Sequence, residues 1–262
     1  MPVKRIDWSG ALTGRRLDSA DLNLKSPLRQ STAGGSGAFL AVGDDDARYW
    51  VKPLNNLQNP RVCVNEQIIG RLAPRLGTLS PVVRTMRIRS SFVGWEFRPG
   101  HGLQEGIAHA CAEVSGAIES RVLDRREKDD NTQHHAEVTA LYDWFFGNDS
   151  QWLFNANEQE RCYSHDHGHY FPGGPAWSAA NLEAQVDVEQ ALPYAGGPFP
   201  KDVVAIIADR IEAVTRDDII AALAMIPAPW PVTDAELETV GFFVERRADA
   251  VASRLRAKWG IT

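Results

Sequence analysis

The 262-residue sequence predicts an α+β protein in which a strand-rich first part precedes a mostly helical second part. Over about the first 95 residues, short apolar runs are interrupted by Gly, Pro and Asp, which is typical of strands and turns. Apolar residues then recur at helical spacing over roughly 104–122, 132–146, 200–226 and 234–257. We place the boundary at "RPGHG", which gives a first lobe over residues 1–97 and a helical lobe over residues 98–262.

The composition favours an ordinary soluble protein of the cytoplasm. Hydrophobic residues make up 44% of the chain and charged residues 24%. A net charge of −6 repels polyanions, so we expect neither a nucleic acid nor an anionic membrane as partner. The three cysteines are odd in number and far apart, which does not suggest a disulfide framework.

The first lobe contains a predicted hairpin. "AFLAV" at 38–42 and "RYWVKPL" at 48–54 flank the turn "GDDDA", and a further strand is predicted at "SSFVGWEF", 90–97. The period of two of a strand places Lys52 on one face with Trp50 and Leu54. Lys52 is therefore expected to project among apolar side chains.

A helix follows the hairpin. Asn59 is a candidate N-cap before Pro60, and Pro74 with Gly77 ends the helical pattern. Glu66 lies on the apolar stripe of this helix, where an unpaired carboxylate is costly.

Lys52 and Glu66 together predict a buried ion pair. Such a pair is expensive for stability alone, but it can direct a lysine at the phosphates of a nucleotide. The alternative is a lysine whose stem is buried while its ammonium group reaches water.

The glycine-rich stretch "STAGGSGAF" at 31–39 precedes the first hairpin strand. Its backbone N–H groups can approach phosphate oxygens without interference from a Cβ. The stretch fits neither GxxxxGK[ST] nor GxGxxG, so a flexible surface loop is the competing interpretation.

Three histidines alternate around an aspartate in "YSHDHGHYFPGG" at 163–174. A strand here would place His165, His167 and His169 in a row, and they could share a zinc ion only if the strand bent sharply. Asp166, seventeen residues after Asp149, instead suggests the two-aspartate arrangement of kinases. We expect the histidines to fill space, with His167 hydrogen-bonded to the loop that contains Asp149. Gly168 is expected to permit a sharp turn of the backbone after Asp166.

Four segments in this order resemble the HipA-like kinases: "STAGGSGAF", "RYWVKPLNNLQNPRVCVNEQIIGRLAPRLG", "LYDWFFGNDSQWLF" and "YSHDHGHYFPGG". The resemblance covers about residues 20–255 and implies a two-lobed, protein-kinase-like fold. It implies Asp149 as the catalytic residue and Asp166 as a Mg²⁺ ligand. The residues that it implies for binding ATP are Gly34, Gly35, Ser36, Gly37, Lys52, Glu66, Trp95, Glu96 and Phe97, with the adenine near the last three.

One position departs from the family pattern. Related kinases have a metal-binding asparagine five residues after the catalytic aspartate, where this chain has Phe154. Alignment on the following hydrophobic strand brings Gln151 to that place, and Asn155 and Asn157 are alternatives. The shortened loop leaves Asp143 as a second candidate for the catalytic aspartate, although a bracing role for Asp143 fits better.

The resemblance implies an ATP- and Mg²⁺-dependent kinase that phosphorylates serine or threonine in a protein. The acceptor can be the chain's own loop, which offers Ser31, Thr32 and Ser36. An antitoxin-like or regulatory protein is a further expected partner. The alternatives are a nucleotide-binding pseudokinase that acts as a protein-interaction module, and a small-molecule or lipid kinase.

Overall fold

Residues 4–32 and 35–260 are described here from a computed structural model of the chain. The strands are β1 (Leu22–Gln30), β2 (Phe39–Gly43), β3 (Arg48–Lys52), β4 (Val83–Ile88), β5 (Glu96–Arg98), β6 (His101–Gly102), β7 (Gly106–Ala112), β8 (Ala117–Ser120), β9 (Trp152–Asn155) and β10 (Arg161–Ser164). The α-helices are α1 (Arg61–Leu76), α2 (Asn131–Trp144), α3 (Ala179–Ala184), α4 (Lys201–Glu212), α5 (Arg216–Ala224) and α6 (Asp234–Trp259). The predicted mixture of strands and helices is confirmed.

Five strands close into a barrel in the order β1–β2–β3–β7–β4. All its pairs are antiparallel except β1 with β4. The predicted hairpin is confirmed as β2 and β3, with Leu40 opposite Trp50. The barrel encloses a core of its own that includes Phe39, Val51, Met86 and Ala110.

The prediction of a helix over roughly 104–122 is wrong, because these residues form β7 and β8. β7 lies between β3 and β4, so the run from Ile107 to Ala110 is buried. A strand that is buried on both faces has a continuous apolar sequence, and alanine-rich runs of this kind also suit a helix. The barrel therefore extends beyond the boundary that we predicted at residue 97.

The strand predicted at 90–97 is also largely wrong. Residues Ser90–Phe92 form a 3₁₀ turn, and only β5 is extended, paired with the two residues of β6. The remaining strands form a small antiparallel sheet in the order β10–β9–β8.

The predicted first helix is confirmed as α1. The N-cap is Pro60 rather than the predicted Asn59, whose side chain accepts a hydrogen bond from the backbone N–H of Arg61. Gly77 ends the helix with a φ of 87°. Gly70 packs so closely against Val83 of β4 that a Cβ would clash with it. α1 also contributes Ile68 and Ile69 to the core of the helical part. It therefore connects the barrel to the helices.

The helical pattern at 200–226 forms two helices, α4 and α5. Thr215 interrupts it as the N-cap of α5, in a reciprocal capping box with Asp218. The helices predicted at 132–146 and 234–257 are confirmed as α2 and α6. No helix of the described ranges is long and apolar enough to cross a bilayer.

Candidate active site

Three charged side chains from separate elements meet at the end of β3. The Nζ atom of Lys52 lies 2.5 Å from Oε1 of Glu66 on α1 and 2.6 Å from Oδ1 of Asp166 after β10. Only 11% of the Lys52 side chain, 5% of Glu66 and 24% of Asp166 is exposed. One ammonium group thus bridges two largely buried carboxylates.

The backbone around Asp166 differs from the predicted strand. β10 ends at Ser164, and Asp166 has a left-handed conformation with a φ of 54° and a ψ of 57°. Aspartate is one of the few residues other than glycine that adopt this conformation readily. Gly168, which we expected to supply a sharp turn, is not among the residues with positive φ. Its role is close approach, since a Cβ there would lie 3.0 Å from Cβ of Val62 on α1.

The three charges shift one another's pKa values. Burial alone would lower the pKa of Lys52, but the attraction of Asp166 and Glu66 outweighs burial and raises it. Burial raises the pKa of Glu66 to about 7, against the opposing attraction of Lys52. Burial would raise the pKa of Asp166 as well, but Lys52 holds it well below its usual range. The Asp166 carboxylate therefore stays ionised at neutral pH and can bind a cation.

A cavity of about 350 Å³ opens beside Lys52 and Asp166, within the usual size range of small-molecule sites. It lies between the barrel and the sheet β10–β9–β8. Trp50 lines it from the barrel and Leu153 from the sheet, and the connection between β7 and β8 contributes Glu113, Val114 and Gly116. This cavity combines two apolar walls with a charged end.

Asp149 is joined to this cavity through a neighbour. Its Oδ2 accepts a hydrogen bond from Nε2 of Gln151 at 2.6 Å, and Gln151 lines the cavity. Its Oδ1 accepts a hydrogen bond from Nη1 of Arg121 at 2.7 Å, on an exposed side chain. Asp149 is therefore not among the residues that line the cavity, and its carboxylate pairs with Arg121.

Residues 25–158, just over half of the chain, match the sequence pattern of the HipA-like kinases. The chain belongs to the HipA-like kinase family. No curated relative matches it in sequence.

Among solved structures, the Helicobacter pylori proinflammatory kinase CtkA has a TM-score of 0.60 and 11% identity over 93% of this chain and 98% of that one. This likeness shows that the two chains share a fold. A Golgi casein kinase with Mn/ADP bound has a TM-score of 0.46 at 8% identity, over 97% of this chain and 76% of that one. A second Golgi casein kinase structure has a TM-score of 0.39 at 8% identity, over 98% and 76%. These last two likenesses are too weak to support an argument.

In this HipA-like kinase, Trp95, Glu96 and Phe97 are not at the cavity, where we expected them to meet adenine. The Trp95 ring packs on Phe39 at 5.1 Å between centroids, and the Glu96 carbonyl accepts a hydrogen bond from Gln30. Phe97 is fully buried in the barrel core. The connection that follows β7, a segment that we took for helix, borders the cavity in their place.

The glycine-rich loop is described in part. Gly34 lies outside the described residues. Ser36 lines the cavity, whereas Gly37 has a φ of 73° and packs against the ring of Phe97, where a Cβ would lie 2.9 Å from it. A Cβ on Gly35 would lie 2.9 Å from Nε2 of Gln58. Of the described loop residues that we predicted to bind ATP, Ser36 thus borders the cavity, and the phosphate-binding role of the loop stays a prediction.

The alternative residues for the metal and the catalytic aspartate lie elsewhere. The Asn155 side chain caps a 3₁₀ turn, and the Asn157 amide donates to the carbonyl of Ser115. The carboxylate of Asp143 binds Arg247 and Arg254. Gln151, the first choice for the second metal ligand, is among the described residues that line the cavity, whereas Asn155, Asn157 and Asp143 are not.

The three histidines do not form the predicted row, because β10 ends before them. His165 lines the cavity, His167 is buried with its Nε2 2.8 Å from the Ser164 hydroxyl, and His169 is partly exposed. The expected hydrogen bond from His167 to the loop of Asp149 is replaced by one from the Asn148 amide to the His169 carbonyl. Within residues 4–32 and 35–260, no three His, Cys, Asp or Glu side chains cluster as a metal site.

Several residues that line the cavity were not predicted as site residues. A signal existed for Trp50, because the sequence places it on the same strand face as Lys52. Glu113, Val114 and Leu153 gave no such signal, because the strand that leads to the first two was predicted as helix. Arg121 lies beside a charge run and has no feature of its own that points to Asp149.

Proposed function

We propose that this HipA-like kinase transfers the γ-phosphoryl group of ATP to a serine or threonine of a protein, with Mg²⁺ as cofactor. The observation that carries the proposal is the placement of Lys52 between Glu66 and Asp166 at the charged end of the cavity. A buried ion network of this kind is expensive unless it serves binding or chemistry. We also propose that the barrel and the helical part act as two lobes with the nucleotide between them.

The adenine would lie between Trp50 and Leu153, with its edge toward Glu113 and Val114. Aromatic and aliphatic walls suit a flat purine, and free backbone groups of a connection can hydrogen-bond its edge. The triphosphate would then extend toward Lys52 beneath the loop that contains Ser36.

The residues at the charged end fit a magnesium nucleotide. Mg²⁺ prefers oxygen ligands and is commonly held by one or two protein groups together with substrate phosphates. Asp166 and the amide oxygen of Gln151 would hold the ion, which when bound would neutralise charge on the phosphates. Lys52 would bind the phosphate oxygens, and Glu66 would hold the lysine in place.

Asp149 would orient the acceptor hydroxyl and accept its proton. To do so its carboxylate must be released from Arg121, whose side chain is largely exposed to solvent. The Gln151 amide would keep the carboxylate oriented during this change.

A transfer assay tests the proposal. Purified protein with γ-labelled ATP and Mg²⁺, alone and with cell lysate, should label itself or a target. Asp166→Ala should abolish the labelling, whereas Asp249→Ala on the exposed face of α6 should not. Equal labelling by wild type and Asp166→Ala would refute the proposed site.

A nucleotide-binding pseudokinase is the second candidate, favoured by the position of Asp149. Its carboxylate is engaged by Arg121 and lies outside the cavity lining. In that case ATP should raise the melting temperature of the protein while no transfer occurs under any metal condition.

A further inference from the structure

A second groove lies farther along α1, where this helix faces β4 and α5. Its volume is about 320 Å³. Three arginines line it: Arg71 and Arg75 from α1, and Arg84 from β4. We call it the arginine groove. The carboxylate of Asp218 also lines the groove, so three guanidinium groups and one acid surround it in a chain of net charge −6.

The arginines are not equally neutralised. Arg71 pairs with Asp21 at 3.2 Å, and the exposed Arg75 pairs with Asp218 at 2.6 Å. The Arg84 guanidinium is exposed and has no ion pair or hydrogen bond with the described residues. Burial lowers the pKa of Arg71 against the attraction of Asp21, and the positive charge of Arg84 adds a smaller lowering.

Apolar side chains border the same groove. Val82, just before β4, and Met225, just after α5, both line it, and both are among the exposed large hydrophobic residues. A ligand that matches this surface has an anionic group beside an apolar one.

We propose that the arginine groove binds a protein segment in which a phosphorylated serine or threonine stands next to an apolar side chain. A carboxylate would balance Arg84 alone. A phosphate near charge −2, with three acceptor oxygens, can engage Arg84 together with Arg75 or Arg71. A concave groove also suits a side chain better than the flat surface of a bilayer.

The groove is connected to the proposed nucleotide site through Gln67. The Arg71 Nε donates to Oε1 of Gln67 at 3.1 Å, and Nε2 of Gln67 lies 2.6 Å from the Arg84 carbonyl and 3.0 Å from Nδ1 of His109. His109 stands opposite Lys52 in the pairing of β3 with β7, and Gln67 adjoins Glu66 in α1. A phosphate that draws Arg71 and Arg84 together therefore acts on the helical turn that carries Glu66. We expect it to change nucleotide affinity; this coupling rests on the proposed function, whereas peptide binding does not.

Fluorescence anisotropy measures the binding directly, without nucleotide. The probe is a fluorescein-labelled pool of short peptides with a central phosphoserine, leucine at a neighbouring position and the other positions randomised. The same pool with unphosphorylated serine is the comparison. The wild type should bind the phosphorylated pool at least about tenfold more tightly, since charge-assisted bonds to two arginines are lost without the phosphate.

Two variants and a matched control locate the site. Arg84→Gln and Arg75→Gln should each weaken binding severalfold, and both together should reduce it to the level of the unphosphorylated pool. Arg87→Gln changes an arginine of the same strand that does not line the groove, and it should bind like the wild type. All three arginines are at least partly exposed, so the variants should fold.

Three results would overturn the proposal. The first is no preference for the phosphorylated pool, and the second is equal binding by the wild type and the double variant. The third is arginine-dependent binding to vesicles of phosphatidylserine and phosphatidylcholine without binding to the peptides, which would assign the groove to a lipid surface. If the peptides bind but leave ATP affinity unchanged, the coupling through Gln67 is wrong and the docking site stands. Lys52→Met should still bind the phosphorylated peptides. This result would show that peptide binding in the groove does not depend on the proposed kinase function.

Discussion

At the scale of single residues, the candidate site depends on a few side chains in unusual surroundings. Lys52 holds its charge because two carboxylates offset its burial. Asp166 reaches Lys52 from a left-handed backbone position that most side chains avoid. These environments cost free energy, and the proposed nucleotide binding would account for that cost.

We predict that Lys52→Met weakens nucleotide binding by about tenfold or more, because a charge-assisted contact to phosphate is lost. Isothermal titration with a non-hydrolysable ATP analogue would measure the change. Lys25→Met, on the exposed face of β1, is the control and should bind normally. Unaltered affinity in Lys52→Met would remove this lysine from the site.

We predict that Gln151→Leu raises the Mg²⁺ concentration needed for half-maximal activity by several-fold, because an oxygen ligand is replaced by an apolar group. The measurement is phosphoryl transfer, or nucleotide binding if no transfer is found, as a function of Mg²⁺ concentration. Asn157→Leu tests the alternative ligand and should leave the metal requirement unchanged. The opposite pattern would assign the second ligand to Asn157.

At the scale of elements, Arg247 fixes α6 against the end of α2. Its side chain is fully buried, and it pairs with the Asp143 carboxylate and donates to the carbonyls of Asp143 and Trp144. It also donates to the carbonyls of Gln185 and Val188. Burial lowers its pKa to about 10, against the attraction of Asp143, so it remains charged at neutral pH.

We predict that Arg247→Met lowers the free energy of unfolding by about 3–5 kcal/mol, the usual cost of removing one partner from a buried ion pair. The loss arises because the carbonyls of Trp144 and Val188 lose the Arg247 donor, and Asp143 keeps Arg254 but loses its buried cationic partner. Denaturant unfolding would measure it. Arg246→Met changes the adjacent, partly exposed arginine and should cost less than about 1 kcal/mol. Similar losses of unfolding free energy in both variants would show that the buried contacts of Arg247 contribute little to stability.

At the scale of the whole molecule, several buried histidines are held neutral. Burial lowers the pKa of His135 and of His165 from 6.5 to about 4, and that of His167 to about 3. Nearby positive charge from Arg126 adds to the shift at His135, whereas the negative charge of Asp166 opposes the shift at His165. The folded protein therefore binds fewer protons than the unfolded chain between pH 6.5 and about 4.

We predict that the free energy of unfolding falls as the pH is lowered from 6.5 toward 4, by about 1.4 kcal/mol for each unit of lowered pKa. Glu66 acts in the opposite direction, because its pKa is raised from 4.5 to about 7, but it is one group against three. Urea unfolding across this range would measure the slope, and His135→Asn should make it shallower. Stability that stays constant down to pH 4 would show that these histidines titrate normally in the folded protein.

The sequence by itself determined the features that depend on short-range patterns. The hairpin of β2 and β3 follows from its apolar alternation and acidic turn, and α1 follows from its apolar stripe, Asn59 and Gly77. Lys52 and Glu66 could be paired from sequence, because an inward-facing charge on a strand needs a partner of opposite sign. The order of the motifs was sufficient to identify the family.

Only the tertiary structure decided the features that depend on a strand being buried on both faces or on contacts between residues far apart in sequence. Residues 106–112 read equally well as helix or strand, and only their place between β3 and β4 selects the strand. That place puts the connection after β7, rather than Trp95, at the border of the cavity. In the same way, Gly168 is required by the approach of Val62, 106 positions earlier in the chain, and no local pattern carries such a contact.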